Sequence, residues 1–192
     1  MAADPLAQPR LFLITGVMAA GKSTVARLLA EQLPRATHVR GDVFRRFIVS
    51  GRVEPTASMP PEAMRQLLLR YRLAMSVADD YVRAGFTTVL QDIVVGPVLA
   101  DVIEMSTTRP LHLIVLDPDT DAVVERETRR SKHGYDQHWT PQDLVEGLRL
   151  STPRLGLWLD TTRQTPADTV RAILDRLPES IIDPHRSADP RP

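Results

Sequence analysis

Leu11-Phe12-Leu13-Ile14-Thr15-Gly16-Val17-Met18-Ala19-Ala20-Gly21-Lys22-Ser23-Thr24 is the stretch on which the fold turns. Gly16 to Ser23 fits G-x-x-x-x-G-K-[ST] at every fixed position. The apolar run Leu11 to Ile14 reads as a buried strand, and beyond the loop Val25, Leu28, Leu29 and Leu33 recur at the three- and four-residue steps of a helix. Strand, loop and helix therefore stand in the order a phosphate cradle requires, which argues against a plain glycine turn. Gly16 and Gly21 let the backbone curl so that successive N–H groups face phosphate oxygens, with the positive end of the helix behind them. Gly16, Val17, Met18, Ala19, Ala20, Gly21, Lys22, Ser23 and Thr24 are the expected nucleotide contacts. Lys22 is expected to reach the β- and γ-phosphates, Ser23 to hold the bridging magnesium ion, and Thr24 to lie towards the α-phosphate.

Bulk properties narrow the classes. A chain of 192 residues with one such loop implies a single α/β domain with a sizeable core. Lys plus Arg and Asp plus Glu both number 24, so no global charge favours nucleic acid or a membrane surface. With no cysteine, disulfides, thiolate metal sites and a cysteine nucleophile are excluded, which fits a reducing cytoplasm. No apolar run approaches the roughly 18 residues of a membrane span.

Outward from the loop, strands and helices alternate. Thr37 to Arg40 reads as a second strand ending at Gly41-Asp42, with a helix from about Val43 to Ser50. Pro60-Pro61-Glu62 opens a long helix striped by Met64, Leu67, Leu68, Tyr71, Met75, Ala78 and Val82 and ending near Gly85. Thr87 to Leu90 and Leu111 to Leu116 are near-continuous apolar or β-branched runs, as in strands covered on both faces. Helices are expected from Gly96-Pro97 to Met105, from Thr120 or Asp121 through a basic run, from Pro141 to Ser151 and from Thr165 to Leu177, with a last strand at Leu155 to Leu159. The pattern predicts a three-layer α/β/α fold with a five-stranded parallel sheet spanning 10–178, a disordered leader over 1–9 and a disordered tail over 179–192.

Ligands bind beyond the carboxyl ends of such strands, and Gly16, Asp42, Asp92 and Asp117 fall there. Asp42 is a candidate to take the proton of an acceptor hydroxyl, its alternative being the cap of the helix that follows. Arg45, one turn on, either holds an acceptor or is solvated. Asp92 is a candidate magnesium ligand through water, and Gln91 or Asp92 a substrate contact. Arg126, Arg129, Arg130 and Lys132 suggest a mobile lid over about 126–140, with Arg126 and Arg130 on one face and aimed at the transferring phosphoryl group. His133 and His138 lack ligating partners, and His38 and His112 sit in strands where packing is expected.

From Leu11 to Leu177 the chain resembles the small P-loop kinases, the group that includes gluconate and shikimate kinases, chloramphenicol phosphotransferase and the kinase domain of polynucleotide kinase. Arg40-Gly41-Asp42-Val43-Phe44-Arg45 is similar to the second-strand segment that carries an acidic base and a substrate arginine. Val115-Leu116-Asp117 with Arg126-Glu127-Thr128-Arg129-Arg130 is similar to the fourth strand and arginine lid. Thr161-Thr162 with Thr165 to Val170 resembles the region near the adenine. The resemblance implies ATP- and Mg2+-dependent phosphorylation of a hydroxyl. The acceptor is expected to be a small molecule, an antibiotic, nucleoside, sugar or other metabolite. A nucleic-acid end is disfavoured, no membrane partner is implied, and a monomer or homodimer is expected. The alternatives are a nucleotide-dependent hydrolase or switch acting on a protein partner, and a nucleotide-binding pseudo-enzyme. No N/T-K-x-D guanine motif is present to support a GTPase switch.

Overall fold

The computed structural model describes residues 8–56, 58–129 and 140–182. Most of the expected leader lies outside these residues, as do Arg130, Lys132, His133, His138 and the greater part of the expected lid.

Five parallel strands, β1 (Leu11–Gly16), β2 (Ala36–Arg40), β3 (Thr87–Gln91), β4 (Leu111–Leu116) and β5 (Leu157–Leu159), lie in the order β2-β3-β1-β4-β5. Every residue of β1, β3 and β4 is buried, which is why these segments read as unbroken apolar or β-branched runs. Helices α1 (Lys22–Glu31), α2 (Asp42–Arg46), α3 (Pro61–Arg83), α4 (Val98–Glu104), α5 (Thr120–Thr128), α6 (Pro141–Ser151) and α7 (Pro166–Asp175) connect and flank the sheet. On α1, Val25 and Leu29 are buried, and on α3 so are Tyr71, Ala74, Met75 and Ala78. Among the described residues, no helix is long and apolar enough to cross a membrane.

Two expectations are corrected here. The helix after β2 stops at Arg46 rather than Ser50, so Phe47 and Val49 stand 66% and 95% exposed. The tail expected from 179 begins too early. A 3-10 turn at Leu177–Ser180 leads into β6 (Ile181–Ile182), which pairs antiparallel with Leu111 and His112 at the free lower edge of β4. Ser180 is fully buried, donates its hydroxyl to the Leu177 carbonyl at 2.6 Å and shares a 2.8 Å hydrogen bond with His112 Nδ1. His112 is packed, as expected, and stacks on Phe12. Burial, with the Arg10 charge nearby, pushes its pKa down to about 4, so the ring is neutral at pH 7.

At the end of the sheet away from the loop, Asp79 of α3 ties that helix to the connection before β4. Its carboxylate accepts from the Ser106 hydroxyl at 2.8 Å, from the Thr107 N–H at 2.7 Å and hydroxyl at 2.9 Å, and from the Thr108 hydroxyl at 2.8 Å. Burial alone would raise this carboxyl, but these donors outweigh it and hold the pKa below the ordinary value. We expect Asp79→Ala to lose about 3 kcal/mol at pH 7 in urea unfolding, because the donors are left unmet, with nucleotide affinity unchanged. Since the folded pKa lies below the unfolded one, this stability is complete above about pH 4 and falls away as pH drops through the folded value. The gap between wild type and variant should therefore narrow in acid.

Candidate active site

The loop is built by three backbone constraints. Gly16 ends β1 at φ 141°, where a Cβ would come within 2.5 Å of the Leu116 carbonyl oxygen. Ala19 takes a left-handed φ of 59°, and Gly21, at φ 96°, turns the chain into α1. Asp119, Thr140 and Thr165 cap α5, α6 and α7 through their side chains, but no side chain caps α1 and its first turn holds no acidic residue. No side chain therefore covers the start of α1, where the Thr24 and Val25 N–H groups bond the Gly21 carbonyl and the positive end of the helix faces a place for an anion. Lys22 is 8% exposed and arches back to donate from Nζ to the Val17 carbonyl at 2.6 Å.

Ala19 to Val25 form one wall of a cleft of about 330 Å³, with Ser23 and Thr24 exposed to it. Arg126, Thr161, Gln164 and Thr169 form the other wall. Arg126 donates from Nη2 to the Thr161 carbonyl at 2.6 Å and to that of Thr162 at 3.3 Å, which fixes the guanidinium across from the loop. Thr161 Oγ1 is buried without a hydrogen-bond partner, an unmet polar group in the wall where the adenine was expected.

A second cluster gathers at the ends of β2 and β3. The Asp92 N–H donates to the Ile14 carbonyl at 3.2 Å, which sets Asp92 beside the start of the loop. The Thr15 hydroxyl bonds both the N–H and the carbonyl of Val94 at 2.9 Å, and the Tyr71 hydroxyl donates to the Ile93 carbonyl at 2.6 Å, so the exit of β3 is held from both sides. Burial pushes the Tyr71 phenol up to about 12. Arg70, one residue earlier on α3, takes both oxygens of Asp92, with Nε at 2.9 Å from Oδ2 and Nη2 on Oδ1. A Cβ on Gly41 would overlap that carboxylate, so glycine is needed there for space rather than for an unusual φ. Burial lowers the Arg70 pKa, while the Tyr71 hydroxyl and the Asp42 carboxylate raise it and Arg45 lowers it further. Asp42, Arg45 and Arg70 therefore share one electrostatic neighbourhood.

Asp42 is not the cap of α2. The helix begins at Asp42 itself, Gly41 precedes it, and no side chain makes a capping bond. Asp42 Oδ2 accepts from Arg40 at 3.2 Å and Arg46 at 3.3 Å, and Oδ1 is shielded without a partner. Arg45 pairs with Glu54. Gln91 is 4% exposed at the end of β3, and Asp117 is held by Arg149 at 2.8 Å. Arg70 is the site residue that sequence reasoning missed. Its neighbours along the helix, Arg65 and Arg72, carry the same charge, and only the strand order brings Asp92 to it.

The donors suit a magnesium ion that arrives with a nucleotide. Ser23 opens onto the cleft, and among the described residues no three His, Cys, Asp or Glu side chains converge into a cage of their own. Asp92, both of whose oxygens lie on Arg70, fits as a partner through water rather than as a direct ligand.

The class this fold and loop define is that of a P-loop domain. Residues 11–152 match the family of AAA domains, and the chain belongs to that family. Among solved structures, it is similar to a sugar kinase from Janibacter sp. HTCC2649 at 20% identity, covering 90% of this chain and 96% of that one with a TM-score of 0.68. It is also similar to the tunicamycin resistance protein of Deinococcus radiodurans, at 15% identity over 92% and 100% of the two chains with a TM-score of 0.65. A gluconokinase from Sinorhizobium meliloti 1021 matches at 21% identity over 88% and 93%, with a TM-score of 0.59. These likenesses are of fold. No curated protein sequence matches the chain.

Removing Arg70 would leave the 3% exposed Asp92 carboxylate without its counter-ion. We expect Arg70→Met to cost about 3 kcal/mol in urea unfolding, and the double variant with Asp92→Asn to regain much of that loss.

Proposed function

We propose that the chain is an ATP-dependent kinase that transfers the γ-phosphoryl group to a hydroxyl of a small molecule. The observation that carries this reading is the backbone-built anion site at the start of α1, with the Asp42 carboxylate near the same end of the sheet. The first suits nucleotide phosphates; the second suits the proton of an incoming hydroxyl.

In this reading the N–H groups of Gly16 to Thr24 hold the phosphates, and Lys22 exchanges the Val17 carbonyl for a phosphate oxygen. Ser23, with Asp92 through water, would hold Mg2+, which when bound neutralises charge on the β- and γ-oxygens. Arg126, steadied by the carbonyls of Thr161 and Thr162, guides the nucleotide from the opposite wall, and Arg130 is the second cation of the proposed lid. Asp42 orients the acceptor hydroxyl and takes its proton as the phosphoryl group moves, with Arg45 and Arg70 setting the field around that carboxylate. Gln91 and Asp92, at the end of β3, are the proposed further contacts of the acceptor.

Release of ADP from Mg-ATP, with and without hydroxylated acceptors, tests the proposal. Lys22→Ala is expected to abolish turnover. Asp42→Asn is expected to leave ATP affinity and the melting temperature nearly intact and to lower kcat at least about a hundredfold, the range of a lost general base. Steady hydrolysis indifferent to every acceptor would favour a hydrolase or switch instead.

A further inference from the structure

We propose that Gln164 reads the base of the bound nucleotide and does so as a two-way switch, so that the site takes ATP and GTP alike and disfavours pyrimidine triphosphates. This inference rests on the nucleotide half of the kinase reading above and concerns which triphosphate the cleft accepts.

With the phosphates on the loop, the nucleoside has the rest of the cleft of about 330 Å³, whose lining beyond the loop and α1 is Arg126, Thr161, Gln164, Pro166 and Thr169. The main chain there is largely spent. The Thr162 N–H donates to Asp160 at 2.9 Å, that of Gln164 to the Thr161 carbonyl at 3.3 Å and that of Thr165 to Asp168 at 3.2 Å, while the Thr161 and Thr162 carbonyls hold Arg126. The Thr161 hydroxyl is buried. The half-exposed Gln164 carboxamide is therefore the neutral polar group of this wall best placed to meet a base. Among the described residues no carboxylate lines the cleft, so nothing there selects for the N–H donors of guanine.

Gln164 is held by one hydroxyl that serves either way. Thr169 Oγ1 lies 3.0 Å from Gln164 Oε1 and 3.1 Å from the Thr165 carbonyl oxygen, and Thr169 is 2% exposed, so water does not compete for it. When the Thr169 proton goes to Oε1, Nε2 is left to donate to a ligand. When the proton goes to the Thr165 carbonyl, the Thr169 oxygen accepts from Nε2 of the amide turned over about its soft last torsion, and Oε1 is left to accept. Neither orientation strands a buried polar group, so the exchange costs little. Purines differ in this sense at position 6, where adenine carries an amino donor and guanine a carbonyl acceptor, each beside the N7 acceptor. One orientation of Gln164 meets each base. A pyrimidine has one ring less with which to span the cleft.

The test is calorimetric titration of the full chain, with Mg2+ present, by ATP, GTP, CTP and inorganic tripolyphosphate, which carries no base. ATP and GTP are expected to bind within about threefold of each other and about tenfold more tightly than CTP, the scale of one hydrogen bond. Gln164→Leu, at a half-exposed position outside any helix or strand, is expected to weaken ATP and GTP about tenfold and tripolyphosphate less than about twofold. Gln164→Glu can only accept, so it is expected to shift the ratio of the two affinities about tenfold towards ATP; its repulsion from the phosphates falls on both nucleotides equally. A wild type that separates ATP from GTP by about tenfold or more overturns the inference. So does a ratio that Gln164→Glu leaves unmoved, or nucleotide affinities that Gln164→Leu leaves unchanged. In each of these cases tripolyphosphate still binds and the kinase reading is untouched. If neither the nucleotides nor tripolyphosphate binds, the phosphate-loop assignment fails, and the kinase reading falls together with the inference.

Discussion

The pairing of β1 between β3 and β4 is the constraint on which the site depends. Ile14 lies opposite Gln91 on one side, and Gly16 lies opposite Leu116 on the other. This register ends β1 and β4 together and β3 two residues earlier, so the loop after β1 and the acidic residue after β3 emerge side by side. Gly16 makes the last pair possible, because a Cβ there would press on the Leu116 carbonyl and force β1 and β4 apart before the loop begins. The cradle is thus a consequence of sheet geometry and of a missing side chain, and the direction of α1 follows from the Gly21 turn.

Helix α3 transmits that geometry to the rest of the site. Near its middle, Arg70 and Tyr71 grip Asp92 and the Ile93 carbonyl at the exit of β3, and two turns later Asp79 grips the connection into β4. A helix bound to the sheet at two points has little freedom to rock. The wall that α3 presents towards α2 is therefore held at a set distance from the phosphate loop. In the proposed kinase, such positioning would matter because a misplaced acceptor loses most of the advantage of being bound. The buried Arg70–Asp92 pair suits this role better than it suits stability, since a desolvated ion pair returns little net energy but is costly to break.

The features legible in the sequence were those with local signals. The phosphate loop has a fixed spacing, β4 is a run of six buried residues, and Thr140-Pro141 and Thr165-Pro166 announce helices whose capping boxes form as such spacings predict. What escaped depends on contacts distant in sequence. Gly41 looked like the end of a strand, yet its lack of a side chain makes room for Asp92, fifty-one residues on. Arg126 stands in a basic run of the sequence, but the carbonyls that hold its guanidinium, those of Thr161 and Thr162, come from beyond β5. Ile181 and Ile182 were lost in a proline-rich tail because a two-residue strand has no periodicity of its own, and only the open edge of β4 gives it a partner.

The two halves of the site differ in what they are made of, and this bears on what each can reveal. The nucleotide half is mostly main chain, N–H groups of a loop and a helix start, and main-chain geometry accommodates many sequences. That is consistent with a fold shared at 20% identity with a TM-score of 0.68. The side between α2 and α3 is built from side chains, Phe44, Ile48, Val53, Leu67 and Leu73 around a gap of about 30 Å³. Its chemistry can change with single substitutions while the sheet and loop stay as they are. Likeness of fold therefore speaks to the phosphate end and is silent on the acceptor.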